Sequence, residues 1–273
     1  MKEISIIGCG WLGLPLARRL IEIGYSVYGS TTSDHKIRLL EDSGIKARLL
    51  RVSARIEGDD CDDLFRPKIL FVNIPPGRRE PDVLQRHPKQ IQAIRKAAEE
   101  GEVEWVIFAS STSVYSPFGG LTLEDQASGD NASSDSGRAL LQAERLLLES
   151  PRFNTTIIRF GGLYGYDRQP VRHLAGRDHL KGGNKPVNLI HQDDAVRVVE
   201  EILRLNICGE IFNAVADGHP TREEYYRSVA RRFGLDEPAF LEDTEKNYRV
   251  VSNKKLKEKT GFTFLHPTPI DQE

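Results

Sequence analysis

A chain of 273 residues with 39% hydrophobic content carries enough apolar material for one large domain or two modest ones. A net charge of −2 and a pI of about 6.4 leave no basic field to attract nucleic acid. Cys9, Cys61 and Cys208 follow no metal-ligand spacing, no apolar run nears the roughly 20 residues of a membrane helix, and no secretory signal pattern opens the chain. The expectation is a soluble cytoplasmic protein in a reducing compartment, without a metal and without nucleic-acid or membrane partners.

The first strand-like run, residues 4–7, leads straight into Gly8-Cys9-Gly10-Trp11-Leu12-Gly13. Residues 12–23 follow with Leu12, Leu16, Leu20 and Ile23 on one helical face. Between a strand and a helix, this glycine spacing predicts a dinucleotide turn. Gly8 permits the tight bend, Gly10 lets a pyrophosphate approach, and Gly13 lets helix and strand pack closely. Trp11 and Leu12 complete the turn, and the helix N-terminus supplies free N–H groups and a positive dipole.

The second run, residues 26–29, ends in Gly29-Ser30-Thr31-Thr32-Ser33. NAD-preferring turns place an acidic side chain about 20 residues past the glycines, on the ribose hydroxyls. Here the position reads Ser30, Thr31 and Thr32, which do not repel a 2′-phosphate and can donate to it; Lys36 and Arg38 lie nearby. Asp34 argues the other way unless it caps the helix that follows. NADP is expected ahead of NAD.

Strands are predicted over residues 47–52 and 69–74. The acidic stretch 57–63 lacks calcium-loop spacing and reads as a solvated turn into a short helix. After the fourth strand come Asn73, Ile74, Pro75, Pro76 and Gly77, whose prolines set the backbone where a cofactor ribose would lie. Arg78 and Arg79 have two readings, an anion contact or solvated loop charge.

A helix over residues 88–100 precedes the apolar run 106–109, after which hydroxyls take over in Ser110-Ser111-Thr112-Ser113-Val114-Tyr115. The carboxyl end of a parallel strand faces the ligand crevice, so Ser110 and Ser111 are candidate site residues. Residues 126–137 read as a loop, 138–149 as a helix rich in leucine, and 155–160 as the sixth strand. Alternation of strands and helices predicts an α/β, doubly wound parallel sheet, a Rossmann domain over residues 1–160. Residues 161–273 form a smaller substrate-side lobe, with 187–212 returning to the main sheet. Within that lobe, 187–190 and 210–215 are strand-like and 194–205 is helical. Helices over 221–233 and 253–260 are closed by Gly234 and Gly261.

The glycine turn, the Ser-Ser-Thr-Ser-Val-Tyr segment, Ile157-Ile-Arg-Phe-Gly-Gly-Leu-Tyr-Gly165, Leu189-Ile-His-Gln-Asp-Asp194 and Ser252-Asn-Lys-Lys follow one another in a telling order. The chain resembles the extended short-chain dehydrogenase/reductases, the NAD-dependent epimerase/dehydratase family. On that resemblance Ser111 matches the catalytic hydroxyl three residues before Val114-Tyr115. The family's Tyr-x-x-x-Lys is missing: Ser136 stands for the tyrosine and Leu140 for the lysine. The first glycine spacing also departs from the family's GxxGxxG, marking an atypical subgroup.

The resemblance implies an NAD(P)-dependent oxidoreductase or epimerase/dehydratase acting on a small polar, possibly nucleotide-linked substrate. The alternative is a catalytically degenerate NADP(H)-binding sensor or regulator. The substrate lobe is short for a nucleotide-sugar enzyme. Tyr115 either transfers a proton, with the high pKa of a tyrosine lacking a lysine, or packs beneath the cofactor. Tyr164 lines a wall. His191 with Asp193 and Asp194 reads as helix capping by the carboxylates rather than a metal site or relay. His173, among Arg172 and Arg177, reads as a substrate-side contact. Helices 88–100 and 138–149 resemble those that pair in family dimers, leaving monomer or homodimer open.

Overall fold

The structure, a computed structural model, describes residues 2–77, 81–128, 132, 134–242 and 247–270. β1 (Lys2–Ile7), β2 (Tyr25–Thr31), β3 (Lys46–Leu49), β4 (Ile69–Val72), β5 (Trp105–Ser111), β6 (Asn154–Phe160) and β7 (Ile211–Ala214) build one parallel sheet. Their order is β7-β6-β5-β4-β1-β2-β3. The chain reverses direction across the sheet between β1 and β4, the switch point of the predicted doubly wound fold. The helices are α1 (Gly13–Glu22), α2 (Ile37–Glu41), α3 (Val83–Glu100), α4 (Asp135–Leu148), α5 (Gln192–Leu205), α6 (Arg222–Arg232) and α7 (Lys254–Thr260).

Alternating strand residues feed two core layers. Ile4, Ile6, Phe71, Ile107, Ile158 and Phe212 pack against Leu16 and Leu20 of α1, Val198 and Ile202 of α5, and Leu256 of α7. Ile7, Leu70, Val72, Val106, Phe108 and Ile157 pack against Ile91 and Ile94 of α3 and Leu140 and Leu147 of α4. Both faces are covered, which is why the strands read as unbroken apolar runs.

Two elements differ from the sequence expectation. The third strand ends at Leu49, because β3 is the sheet edge; Arg51–Val52 turns away and pairs antiparallel with Ile56–Glu57. Helix α3 starts at Val83, five residues before the proline expected to open it. Val83, His87, Ile91, Ile94 and Ala98 form one buried stripe. That stripe outweighs the hydrogen bond Pro88 cannot make.

His87 is fully buried, and among the described residues neither ring nitrogen has a hydrogen bond of good geometry. Burial lowers its pKa from 6.5 to about 4. The unfolded chain therefore takes up the proton first as pH falls below 6.5. Stability present above that value is lost progressively toward pH 4, by up to about 3 kcal/mol. Denaturant unfolding of His87→Phe between pH 7 and pH 4 is expected to show a shallower acid dependence than the unsubstituted protein; an identical slope would remove His87 from the account.

The C-terminal half adds two small parallel pairs. Gly162–Tyr164 pairs with Leu189–His191, and Arg249–Val251 with Gly120–Thr122. Asn188 joins the second pair, donating to the Arg249 carbonyl at 3.0 Å and accepting from the Val251 N–H at 2.7 Å. Helix α6 opens on a reciprocal cap: Thr221 Oγ1 accepts from the Glu224 N–H, and Glu224 accepts from the Thr221 N–H. All three cysteines are free thiols. Among the described residues no helix is long and apolar enough to cross a membrane.

Candidate functional site

At the switch point the carboxyl ends of β1 and β4 diverge over a cleft of about 1000 Å³. The glycine turn forms its floor. Gly8 sits at φ +99°, and a Cβ there would lie 2.5 Å from the Asn73 carbonyl oxygen. Gly13 is packed still closer, its absent Cβ 2.2 Å from the Gly8 oxygen. Gly10 faces open space, with nothing within 4 Å of where a Cβ would be.

Helix α1 begins without a side-chain cap and without an acidic residue in its first turn. Leu12 stands at the cap position; the Leu14 N–H is taken by the Gly10 oxygen at 3.0 Å and Pro15 has none, so the uncapped end offers an anion the helix dipole rather than a full row of free N–H groups. A dinucleotide fits this turn: the crowded glycines shape it, the open one admits the pyrophosphate, and the uncapped helix end receives its charge.

Three further contacts hold the turn. The Gly8 N–H donates to Ser30 Oγ at 3.0 Å, and Asn73 Nδ2 donates to the Gly8 oxygen at 3.1 Å. Gln192, at the start of α5, donates to the Trp11 oxygen at 2.6 Å. The Trp11 indole donates to Asp167 at 2.9 Å, and the Arg168 guanidinium lies 5.1 Å from its ring centroid.

Of the residues singled out for the cofactor, Gly8, Gly10, Trp11, Leu12, Ser30, Thr31, Thr32, Asn73, Ile74, Pro75 and Ser110 all line the cleft; Gly13 lies just beneath it. Ser30 serves the turn itself, and Thr31 Oγ1 accepts from the Ser33 N–H. Thr32, Ser33 and Lys36 complete the wall beyond β2. Asp34 lies in the first turn of a short 3₁₀ helix and does not line the cleft. Arg78 and Arg79 lie outside the described residues.

Ser111 also lines the cleft. Its Oγ accepts from the Ser113 N–H at 3.2 Å, which leaves its own O–H to donate to a ligand. Ser136 and Leu140 line the same cleft one helical turn apart on α4, and Ser136 donates to the Gly77 oxygen at 3.2 Å. Neither is an acid or base. Burial pushes the Cys9 thiol up to about 12, so it is no nucleophile near neutrality. Among the described residues no Asp, Glu, His or Tyr lines the cleft.

Tyr115 stands apart from Ser111, and the expectation of a proton donor is corrected on that point. It is 1% exposed and does not reach the cleft. Its hydroxyl donates to Asn213 Oδ1 at 2.6 Å and accepts from Arg159 Nη1 at 2.8 Å. Burial pushes its pKa up to about 12 in spite of the neighbouring guanidinium. Arg159 is also clamped on Glu144 by two bonds of 3.0 and 2.7 Å, and Ser110 donates to Glu144 at 2.5 Å. A buried ionic network thus lies under the cleft floor and carries Ser110 at its upper end.

Tyr164 is buried against His191 and Tyr225, away from the cleft. His173 is exposed in the 3₁₀ segment Pro170–His173, outside the cleft. The cap of α5 is His191, whose Nδ1 accepts from the Asp193 N–H at 3.2 Å, not a carboxylate. Fully buried Asp194 instead accepts from the Leu265 and His266 N–H groups and pairs with Arg197.

Among the lining residues that sequence reasoning missed are Arg168, Asn188 and Arg249. The one signal for Arg249 was a charge opening the apolar pair Val250-Val251. Only the pairing with Gly120–Thr122 brings it to the site.

No family model matches the chain. Protein YeeZ of Escherichia coli K12 is 32% identical over 273 residues, spanning 99% of this chain and 98% of that protein. UDP-glucuronic acid 4-epimerase from Bacillus cereus, solved in complex with NAD, superimposes with a TM-score of 0.79 at 18% identity, covering 97% of this chain and 94% of that one. A short-chain dehydrogenase/reductase superfamily protein from Agrobacterium tumefaciens, solved with bound NAD, gives a TM-score of 0.76 at 18% identity, over 96% and 92% of the two chains. The chain belongs to the family of protein YeeZ and has the fold of the short-chain dehydrogenase/reductases and NAD-dependent epimerases.

Proposed function

We propose that this protein is an NADP(H)-dependent oxidoreductase, epimerase-like in fold, acting on a small polar substrate that carries an anionic group. The observation that carries the reading is the charge of the cleft. Lys36, Arg168 and Arg249 line it, and among the described residues no carboxylate does. Thr32, Ser33 and Lys36 would receive a 2′-phosphate where an acidic side chain would repel it. Residues 161–273 supply the substrate side through Arg168, Asn188 and Arg249.

Arg249 defines the anionic end. Its Nε is buried without a partner among the described residues, and Nη1 donates to the Tyr115 carbonyl at 3.1 Å. Among the described residues no carboxylate neutralises it, so a ligand carboxylate or phosphate relieves an uncompensated buried charge. The bound nicotinamide would supply the hydride acceptor or donor. The Ser111 hydroxyl donates to the substrate oxygen and holds it in place, and water supplies the proton, since among the described residues the cleft is lined by no Asp, Glu, His or Tyr and Lys36 stands on the wall beyond β2.

The missing acid/base group also favours a second reading, an NADP(H) sensor without turnover. NADPH oxidation against a panel of small keto acids and UDP-sugars separates the two. For the enzyme, Ser111→Ala is expected to lower kcat about 100-fold and Arg249→Met to raise KM at least about tenfold. Tyr115→Phe should leave kcat unchanged. Tight NADPH binding with no turnover across the panel would establish the sensor instead, and full activity in Ser111→Ala would remove Ser111 from the mechanism.

A further inference from the structure

Helix α5 is capped by a side chain that titrates. His191 is 6% exposed, and its Nδ1 accepts from the Asp193 N–H at 3.2 Å. A backbone N–H can only donate, so this nitrogen carries no proton while the cap is made. A serine, threonine or asparagine cap keeps its acceptor at any pH. An imidazole loses it on taking up a proton.

The surroundings set where that happens. The His266 ring lies on His191 with centroids 3.8 Å apart, and Tyr164 and Tyr166 flank it at 5.2 and 5.4 Å. Nε2 faces Gly165, where an added Cβ would lie 2.6 Å away, so the ring has no room to shift on that side. The charged and titratable groups facing it are Asp193 and Asp194 on α5, His266 after α7, and the two tyrosines; Arg197 is paired with Asp194. The carboxylates favour a protonated ring, but burial first and the His266 ring second oppose it and hold its pKa below the ordinary 6.5. The unfolded chain therefore takes up this proton first. The contribution of the cap is complete above pH 6.5 and is lost as pH falls through the lower folded value.

A second partner for Nδ1 stands close by. Asp193 Oδ2 is 3.5 Å away, in a carboxylate that also receives the Tyr166 hydroxyl at 2.9 Å and lies 3.6 Å from His266 Nε2. The residue after the cap, Gln192, donates to the Trp11 oxygen at 2.6 Å and so joins the first turn of α5 to the glycine turn. We propose, on the reading of the cleft as a dinucleotide site, that His191 is an acid-operated latch on the glycine turn. Neutral, it caps α5 and keeps Gln192 on the Trp11 carbonyl. Protonated, it turns from the Asp193 N–H to the Asp193 carboxylate, α5 loses its cap, and the dinucleotide is held less tightly.

The test is a calorimetric titration of the full chain with NAD⁺ at pH 7.5 and pH 5.5. NAD⁺ is the probe because the 2′-phosphate of NADP⁺ itself changes charge in this range. Affinity is expected to be at least about threefold weaker at pH 5.5. His191→Asn places a non-titrating acceptor close to the position of Nδ1, and it should keep the affinity of pH 7.5 and lose the decline. An undiminished decline in His191→Asn, or equal affinities at the two pH values in the unsubstituted protein, would overturn the latch. Nitrogen NMR of the imidazoles reads the same event without a ligand or a variant. The His191 ring should gain its proton below pH 6.5, and the Asp193 amide should shift with the same midpoint. A His191 ring that stays neutral to pH 5, or an Asp193 amide that does not respond, would equally overturn it. Absence of NAD⁺ binding at both pH values would contradict the dinucleotide site instead, and the NMR titration then decides the latch by itself.

Discussion

Arg159→Met is expected to destabilise the fold by about 3–5 kcal/mol. The side chains of Arg159 and Glu144 are 4% and 3% exposed. Removing the guanidinium strands a buried carboxylate and withdraws donors from the Tyr115 hydroxyl and the Glu124 carbonyl. For a chain of this size the loss corresponds to a fall in Tm of roughly 10 °C. The double variant Arg159→Met/Glu144→Leu should recover much of it, because neither charge is then left uncompensated. Chemical denaturation of the three proteins measures the coupling. Equal losses in single and double variants would show that packing, not charge, dominates this layer.

Gly10→Val is expected to weaken dinucleotide binding at least about 100-fold, or nearly 3 kcal/mol, while leaving stability almost untouched. The separation follows from local geometry. A side chain at Gly10 meets no protein atom within 4 Å, so it projects into the space the pyrophosphate needs. At Gly8 the backbone is in the left-handed region and a Cβ would strike the Asn73 carbonyl, so substitution there disrupts the turn itself. Wild-type affinity in a stably folded Gly10→Val would place the ligand elsewhere.

The glycine-turn side of the cleft was legible because its determinants are local. A strand, three glycines at fixed spacing and an amphipathic helix lie within residues 2–22, and the same is true of the Asn73-Ile74-Pro75 and Ser110-Ser111 strand ends. The opposite wall depends on contacts between distant segments. Tyr115 is withdrawn from the cleft by Arg159 and Asn213, which are 44 and 98 residues away in sequence. Arg249 reaches the cleft only because its strand pairs with Gly120–Thr122. His191 caps α5 in place of the expected carboxylates because Asp194 is engaged by the backbone of Leu265 and His266. Pro88 misled for a related reason: the buried stripe from Val83 onward decides where α3 starts.

The central claim is that the cleft between β1 and β4 holds a phosphorylated dinucleotide against an electropositive, carboxylate-free wall. Parallel calorimetric titrations of the unsubstituted protein with NADP⁺ and NAD⁺ test it most directly. Saturation at one molecule per chain is predicted, with NADP⁺ bound at least about tenfold more tightly, the gain expected from one charge-assisted contact to the 2′-phosphate. Tighter binding of NAD⁺, or no saturable binding of either nucleotide, would contradict the account.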